Sequence, residues 1–352
     1  MKHIFIITFL FFSCSNSSNN VINNNWKILN TSGLKNSNEE FKAMIFTDAK
    51  TGFLFGTNYS DEIVLNKRFD RQRSVVYNSK DGGSTWQINV LGNGYFVGAV
   101  SVDHTLYALS NIPSKNSYGL IDSSILYAFS DGEKIWRTVF VFPYLVKEIK
   151  FLNPKLGIVV ARNQKEKSLK WKILKTINGG IKWEELFEAN SIEKPFIYKD
   201  TLCYFSKTFD NLFYINRINL ISGKKLIDEK IPDNFIPVQS IVDSNQGLWL
   251  AGTQNNNTIL YHRDNDGRYS IIKKFINSSN YPVSLYLFQK DIFIILGNLK
   301  KQNIDYKFYR GENYGAMWSE EVIPISTYLN PICFYQESVW TYSGAGRIQR
   351  RE

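Results

Sequence analysis

A chain of 352 residues with 43% hydrophobic and 15% aromatic content is long enough to bury a sizeable core, as one large all-β domain or as two smaller ones. Its 42 Lys and Arg against 32 Asp and Glu leave a net charge of +10. The basic clusters "NKRFDRQR" (66–73) and "RIQRRE" (347–352) stand among otherwise scattered basic residues. That charge reads as a solvated face, or as attraction to anionic headgroups or glycans, rather than as a nucleic-acid interface. Long helical periodicity is missing, apolar alternation as in "LYALSN" is common, and no Pro/Gly/Ser-rich linker divides the chain.

The N-terminus reads "MKHIFIITFLFFSC": Lys2, an apolar stretch from Ile4 to Phe12, then Ser13 and Cys14. The stretch is too short to span a bilayer as a mature helix and predicts a signal peptide over residues 1–13. A Cys directly after it, followed by "SNSSNN", resembles a bacterial lipoprotein signal, although Phe11 and Phe12 replace its usual Leu and small residue. The resemblance implies that Cys14 is acylated. The Asn/Ser-rich residues 14–25 are too polar to fold and form a flexible tether. Residues 26–352 then form a single domain.

Within that domain one pattern returns. "NWKILN" (25–30) is an isolated strand. "FKAMIFTDAKTGFLFGT" (41–57) is a strand, a polar turn ending in Gly, and a second strand, and "VKEIKFLNPKLGIVVAR" (146–162) and "PVQSIVDSNQGLWLAGT" (237–253) share its shape. Weaker copies open at 95, 196, 282 and 330, which makes seven openings. Between them falls a second element. "SKDGGSTW" (79–86) has glycines for a tight turn and Ser79, Asp81 and Thr85 to tie its tip, with Gly83 in the turn and Trp86 starting the returning strand. "TINGGIKW" matches it with Thr176, Asn178, Gly180 and Trp183. "GENYGAMW" keeps Asn313, Gly315 and Trp318, "FSDGEKIW" keeps Asp131 and Trp136, and "HRDNDGRY" keeps Asp264 with Tyr269 for Trp. The aromatics recur at roughly 47–50 residues, with one double gap that places a decayed copy near "NLISGKKLI" (219–227).

"SKDGGSTW" resembles the Asp-box, or BNR, motif. Paired with the upstream "F-x-D-x-x-x-G-x-x-x-G", it is similar to the blades of photosystem II assembly-factor-like and sialidase-like β-propellers. The resemblance implies an all-β propeller of four-stranded blades, seven by the count of openings, with six or eight as alternatives. It implies that the boxes are structural turns rather than sites. The leftover strand at 25–30 would complete the last blade and remove an exposed edge.

Chemistry-bearing residues are few. Cys203 and Cys333 lie in apolar strands of non-neighbouring blades and read as buried free thiols. His104 falls in a turn and His262 in a degraded box, without a triad partner. "DNDG" (264–267) lacks the further ligands of a calcium loop, and no cluster has metal-ligand spacing, so no cofactor or metal is expected. The sialidase resemblance would ask for an arginine set and a Tyr/Glu nucleophile, of which Tyr342 and Arg347 supply only a partial imitation. The sequence thus predicts an exported, lipid-anchored propeller that binds or assembles an envelope protein or a glycan. A glycoside hydrolase of sialidase type is the alternative, and its two acids need no local signature.

Overall fold

The computed structural model describes residues 26–29, 31–34, 39–59, 72–115, 117, 119–130, 134–166, 170–208, 212–243, 245–276, 280–300, 303–323, 331–342 and 347–351. They form seven four-stranded antiparallel sheets, each a meander in sequence order except the last. Blade 1 comprises Glu39–Phe46, Gly52–Asn58, Arg73–Ser79 and Gln87–Asn93. Blade 2 comprises Tyr95–Val102, Thr105–Pro113, Ile121–Ser130 and Trp136–Phe142, and blade 3 Leu145–Phe151, Gly157–Arg162, Trp171–Thr176 and Glu184–Ala189. Blade 4 comprises Glu193–Tyr198, Thr201–Lys207, Phe213–Asn219 and the two-residue Glu229–Lys230. Blade 5 comprises Phe235–Val242, Leu248–Gln254, Asn257–Arg263 and Tyr269–Phe275, and blade 6 Asn280–Phe288, Asp291–Lys300, Asn303–Glu312 and Met317–Val322. Blade 7 takes Ile332–Tyr335, Ser338–Tyr342 and Ile348–Arg351 from the C-terminal end and Trp26–Leu29 from the N-terminal end, with Trp26 opposite Arg351.

The second strand of each blade explains why these sheets stand face to face. Gly52–Thr57 are all buried, yet a strand shows alternate side chains to opposite faces. Leu54 enters the cluster shared with Trp340 and Tyr342 of blade 7, while Phe53 and Phe55 enter the cluster shared with Phe96 and Leu106 of blade 2. Val159 and Ala161 likewise face blade 2, and Ile158 and Val160 face blade 4. A strand apolar on both faces needs a neighbour on each side, and a ring supplies one to every sheet. Seven separate apolar clusters fill the seven seams, the last between blades 6 and 7 around Phe293, Phe308 and Trp26. The chain is therefore a closed seven-bladed β-propeller, and the six- and eight-bladed alternatives fall away.

The closing seam holds a buried ion pair. Arg351 donates to both oxygens of Glu321 (2.9 and 2.7 Å), and its guanidinium stacks over Phe308. Each innermost strand of blades 1–6 carries a bulge near its start, and in blades 5 and 6 Pro237 and Pro282 sit next to it. A residue without an N–H is tolerated at such irregular or edge positions.

Candidate functional site

In blades 1 to 6 two turns share one face of the ring, the turn between the first and second strands and the turn between the third and fourth; in blade 7 the paired ends Arg351 and Trp26 stand in place of the latter. In blades 1, 3, 4 and 6 a backbone hydrogen bond ties the two. Gly82 N–H donates to Lys50 O (2.8 Å), Gly179 to Lys155 O (3.0 Å), Leu220 to Asp200 O (2.7 Å) and Tyr314 to Lys290 O (2.6 Å). The inner turn is itself closed by a short acceptor. Asp48 Oδ1 takes the N–H of Lys50 and Thr51, Asn153 Oδ1 takes those of Lys155 and Leu156, and Asp243 Oδ1 takes that of Gly247. This is why the upstream element of the repeat needs Asp or Asn at that place.

The "SKDGGSTW" turn is a hydrogen-bonded knot. Ser79 Oγ donates to Asp81 Oδ1 (2.9 Å) and accepts from Gly83 N–H (2.9 Å). Asp81 accepts from the Thr85 N–H (2.8 Å) and hydroxyl (2.7 Å). Trp86 Nε1 donates to Gly83 O (2.8 Å). Slight burial pulls the Asp81 carboxyl up, and the bonds from Thr85 and Ser79 outweigh it, holding the carboxyl below its usual range. Gly82 and Gly83 have φ of 73° and 97°, and a Cβ on Gly82 would approach the Ala49 carbonyl to 3.2 Å. Both requirements call for glycine.

Blade 3 repeats the knot. Thr176 Oγ1 donates to Asn178 and accepts from Gly180, Asn178 Oδ1 takes Lys182 N–H, and Trp183 Nε1 donates to Gly180 O (2.8 Å). Blade 6 keeps only the Trp318 bond to Gly315 O. Its turn closes through the backbone, with Ala316 N–H shared between the Glu312 and Asn313 carbonyls, so Asn313 does not take the tying role that its alignment with Asp81 predicts. Asp264 Oδ1 takes the Arg268 N–H (2.9 Å), the bond that Asp81 makes to Thr85 in blade 1. The decayed copy is the turn after Asn219, whose Oδ1 takes the N–H of Ile221 and Ser222. Asp131 and Cys14 lie outside the described residues.

Each knot packs onto the blade before it. Trp86 is 4% exposed, shares a cluster with Trp340 of blade 7 and meets Phe46 of its own blade edge-on, and Trp136 sits between Phe53 and Phe55 of blade 1 and Phe129 of its own blade. Trp183 lies against Phe142 and Phe151, and Trp318 against Phe275. Trp183 and Trp318 are half-buried, so the three motif tryptophans are equivalent in place and unequal in depth.

Tyr269 departs from the pattern. Its hydroxyl donates to Glu229 Oε1 of blade 4 (2.6 Å), and Glu229 also accepts from Arg263 Nη2 (2.8 Å), with Arg217 at 3.5 Å. Burial, then the bond to Glu229, raises the Tyr269 pKa and keeps the phenol a donor. Cys203, beside this network, is pushed up to about 12 by burial, as is Cys333 in blade 7; both are free thiols. Tyr342 is packed against Phe41 (4.7 Å) in the seam between blades 7 and 1, while Arg347 is exposed, so the two are not arranged as a sialidase pair. His262 lies on Trp249 with its Nε2 3.6 Å from Asp243, and His104 occupies a turn at φ 61°.

A cleft of about 670 Å³ lies between blades 1 and 2. Its floor is aromatic (Phe53, Phe129, Trp136), and its walls are Ile88, Val90 and Ile135. Asn78, Asn89 and Gln87 supply amides, with Asn89 Nδ2 donating to Asn78 Oδ1 (2.8 Å), and Lys80 and Lys134 stand at the mouth. Asp48 is the carboxylate in its lining. Burial raises Asp48, but the N–H bonds from Lys50 and Thr51 outweigh it and leave the carboxyl below its usual range. Sequence reading missed this cleft, because its walls are ordinary strand residues. The one available signal was that "QINVL" (87–91) places apolar residues on an outermost strand.

No family model matches the sequence, and no curated protein matches it. Solved structures do resemble it. A virginiamycin B lyase from Staphylococcus aureus, crystallised with quinupristin, is 14% identical over 92% of this chain and 98% of that one, with a TM-score of 0.57. The β-propeller domain of the Trilobed protease from Pyrococcus furiosus is 8% identical, with coverage of 90% and 93% and a TM-score of 0.60. The acylaminoacyl peptidase of Pyrococcus horikoshii is 8% identical over 86% of this chain and 48% of that one, with a TM-score of 0.59. At such identities the likeness is one of fold. The Pyrococcus furiosus domain is described as having an open velcro topology, whereas here Trp26–Leu29 pairs with Ile348–Arg351 and joins the two ends of the ring.

Proposed function

We propose that this chain is an exported, lipid-anchored propeller that binds an envelope protein without catalysing a reaction, and that the cleft between blades 1 and 2 is where it binds. The observation that carries the reading is the composition of that cleft. One wall is the outermost strand Gln87–Asn93, with residues 87–90 all exposed. An outermost strand offers main-chain hydrogen bonds to an added strand, and the Ile88, Val90 and Ile135 side chains offer apolar contact to it. Asp48 already accepts two N–H bonds and is a poor proton donor at neutral pH. The anchoring half of the reading rests on the apolar run ending at Cys14.

A photo-crosslinking residue at position 88 should capture an envelope protein, and one at position 271, the matching exposed site on blade 5, should not. Equal capture at both positions would reject the cleft. A glycan adduct at 88 without a protein adduct would move the reading to a glycan binder, and hydrolysis of a sialoside by the purified protein would replace it with the glycoside hydrolase. Fatty-acid labelling should disappear in Cys14→Ala.

A further inference from the structure

The face that carries the tied turns is uneven around the ring. In blades 3 and 4 its outer turns present Ile177, Ile181 and Ile221, between 63% and 72% exposed. Interleaved with them are Lys182 and Lys224, both exposed and without an ion pair among the described residues. The two blades' turns are joined, since Lys175 Nζ of blade 3 donates to the Leu220 carbonyl (3.0 Å) and Gly223 packs toward Leu186. The next blade is the opposite. Its outer turn carries Asp264 and Asp266 beside Arg268, and none of its described turn residues on this face is an exposed large hydrophobic.

The same face holds Trp26, the first of the described residues. Trp26 pairs with Arg351, and Arg351 Nη1 donates to the carbonyl of Glu337, in the inner turn of blade 7. Blade 7 lies across the ring from blades 3 and 4. The face therefore has the Trp26 end of blade 7 on one side and an arc of isoleucine and lysine on the other.

We propose that this arc seats on an anionic lipid surface. The isoleucines enter the boundary between headgroups and acyl chains, and Lys182 and Lys224 lie among the lipid phosphates. Apolar side chains flanked by lysines are the side-chain set that interfacial binding uses, and charge and apolar burial act together there. The inference does not depend on the cleft being occupied or on Cys14 being acylated.

The test uses the protein from residue 21 onward, which keeps every strand of all seven blades and lacks both Cys14 and the apolar run. It should co-sediment with vesicles of phosphatidylglycerol and phosphatidylcholine, less so at high salt, and weakly with phosphatidylcholine alone. Ile181→Ser with Ile221→Ser should lower the partition by about tenfold, and Lys182→Glu with Lys224→Glu should lower it while leaving the apolar residues in place. Ile236→Ser with Ile276→Ser, exposed on the opposite face of blade 5, should leave it unchanged. Failure of the wild-type chain to bind, equal loss in that control pair, or vesicle-free self-association abolished by the same isoleucine substitutions would each overturn the proposal.

Discussion

The seam between blades 2 and 3 and the seam between blades 4 and 5 hold the same repeat position in two chemical forms. At the first, Trp183 lays its indole against Phe142 and Phe151 and returns its N–H to the Gly180 carbonyl. At the second, Tyr269 reaches across to Glu229, which also holds Arg263 and lies near Arg217. The first closes by removing apolar area from water and satisfies its one polar atom locally. The second sets charged groups in a half-buried seam, where their desolvation is offset only while all partners are present. A repeat position is thus a place between blades and not a fixed interaction.

The largest break should come at the apolar form where it is deepest. Trp86→Ala should cost about 3–5 kcal/mol in chemical denaturation, the range for a large buried aromatic, with Trp183→Ala lower because its ring is half-exposed. Equal losses at the two positions would mean that depth of burial does not set the scale. The ionic form should break next. Glu229→Gln leaves Arg263 without its charge partner and should cost about 2–3 kcal/mol, short of the 3–5 kcal/mol of a fully buried pair. Replacing Glu229 and Arg263 together by apolar residues should recover much of that loss, an outcome that Trp86 has no counterpart for.

The smallest effect belongs to the exposed knot. Asp81→Ala should cost about 1 kcal/mol or less, and Asp81→Asn less again, because Asn178 already ties the blade 3 turn with an amide oxygen. Its pH dependence has a defined sign. The folded pKa of Asp81 is depressed, so its contribution is present above the unfolded value near 4 and is lost as pH falls through the folded value. Melting curves of wild type should drop in that acid window, and Asp81→Asn should flatten part of the drop. Cys203 and Cys333, pushed up to about 12, should resist a thiol reagent at pH 8 until the protein unfolds.

Much of this architecture was legible beforehand. Turn glycines, the Asp, Asn and Thr acceptors and the aromatic after them lie within eight residues, so local hydrogen bonding specifies each knot wherever it stands in the fold. The seven openings, the decayed copy at 219–227 and the completion of blade 7 by the strand at 25–30 followed from counting such local units. Where the count relied on alignment alone it overreached, as with Asn313, whose turn closes through its backbone. The cleft and the Glu229 network were not legible. Ile88 and Ile135 are distant in sequence, as are Glu229 and Tyr269, and neither pair carries a local signal of meeting.

By itself, then, the sequence determined what short-range physics decides: a period of 2 within strands, glycine where φ must be positive, side-chain acceptors where turn N–H groups need partners, and enough apolar strands to demand a ring. Only the tertiary structure decided which side chains meet across a seam. That depends on the rotation from each blade to the next, which no local pattern encodes. The same rotation brings Phe129 and Trp136 to the wall of Ile88, sets Tyr269 beside Glu229, and gathers the isoleucines of blades 3 and 4 on the face that holds Trp26.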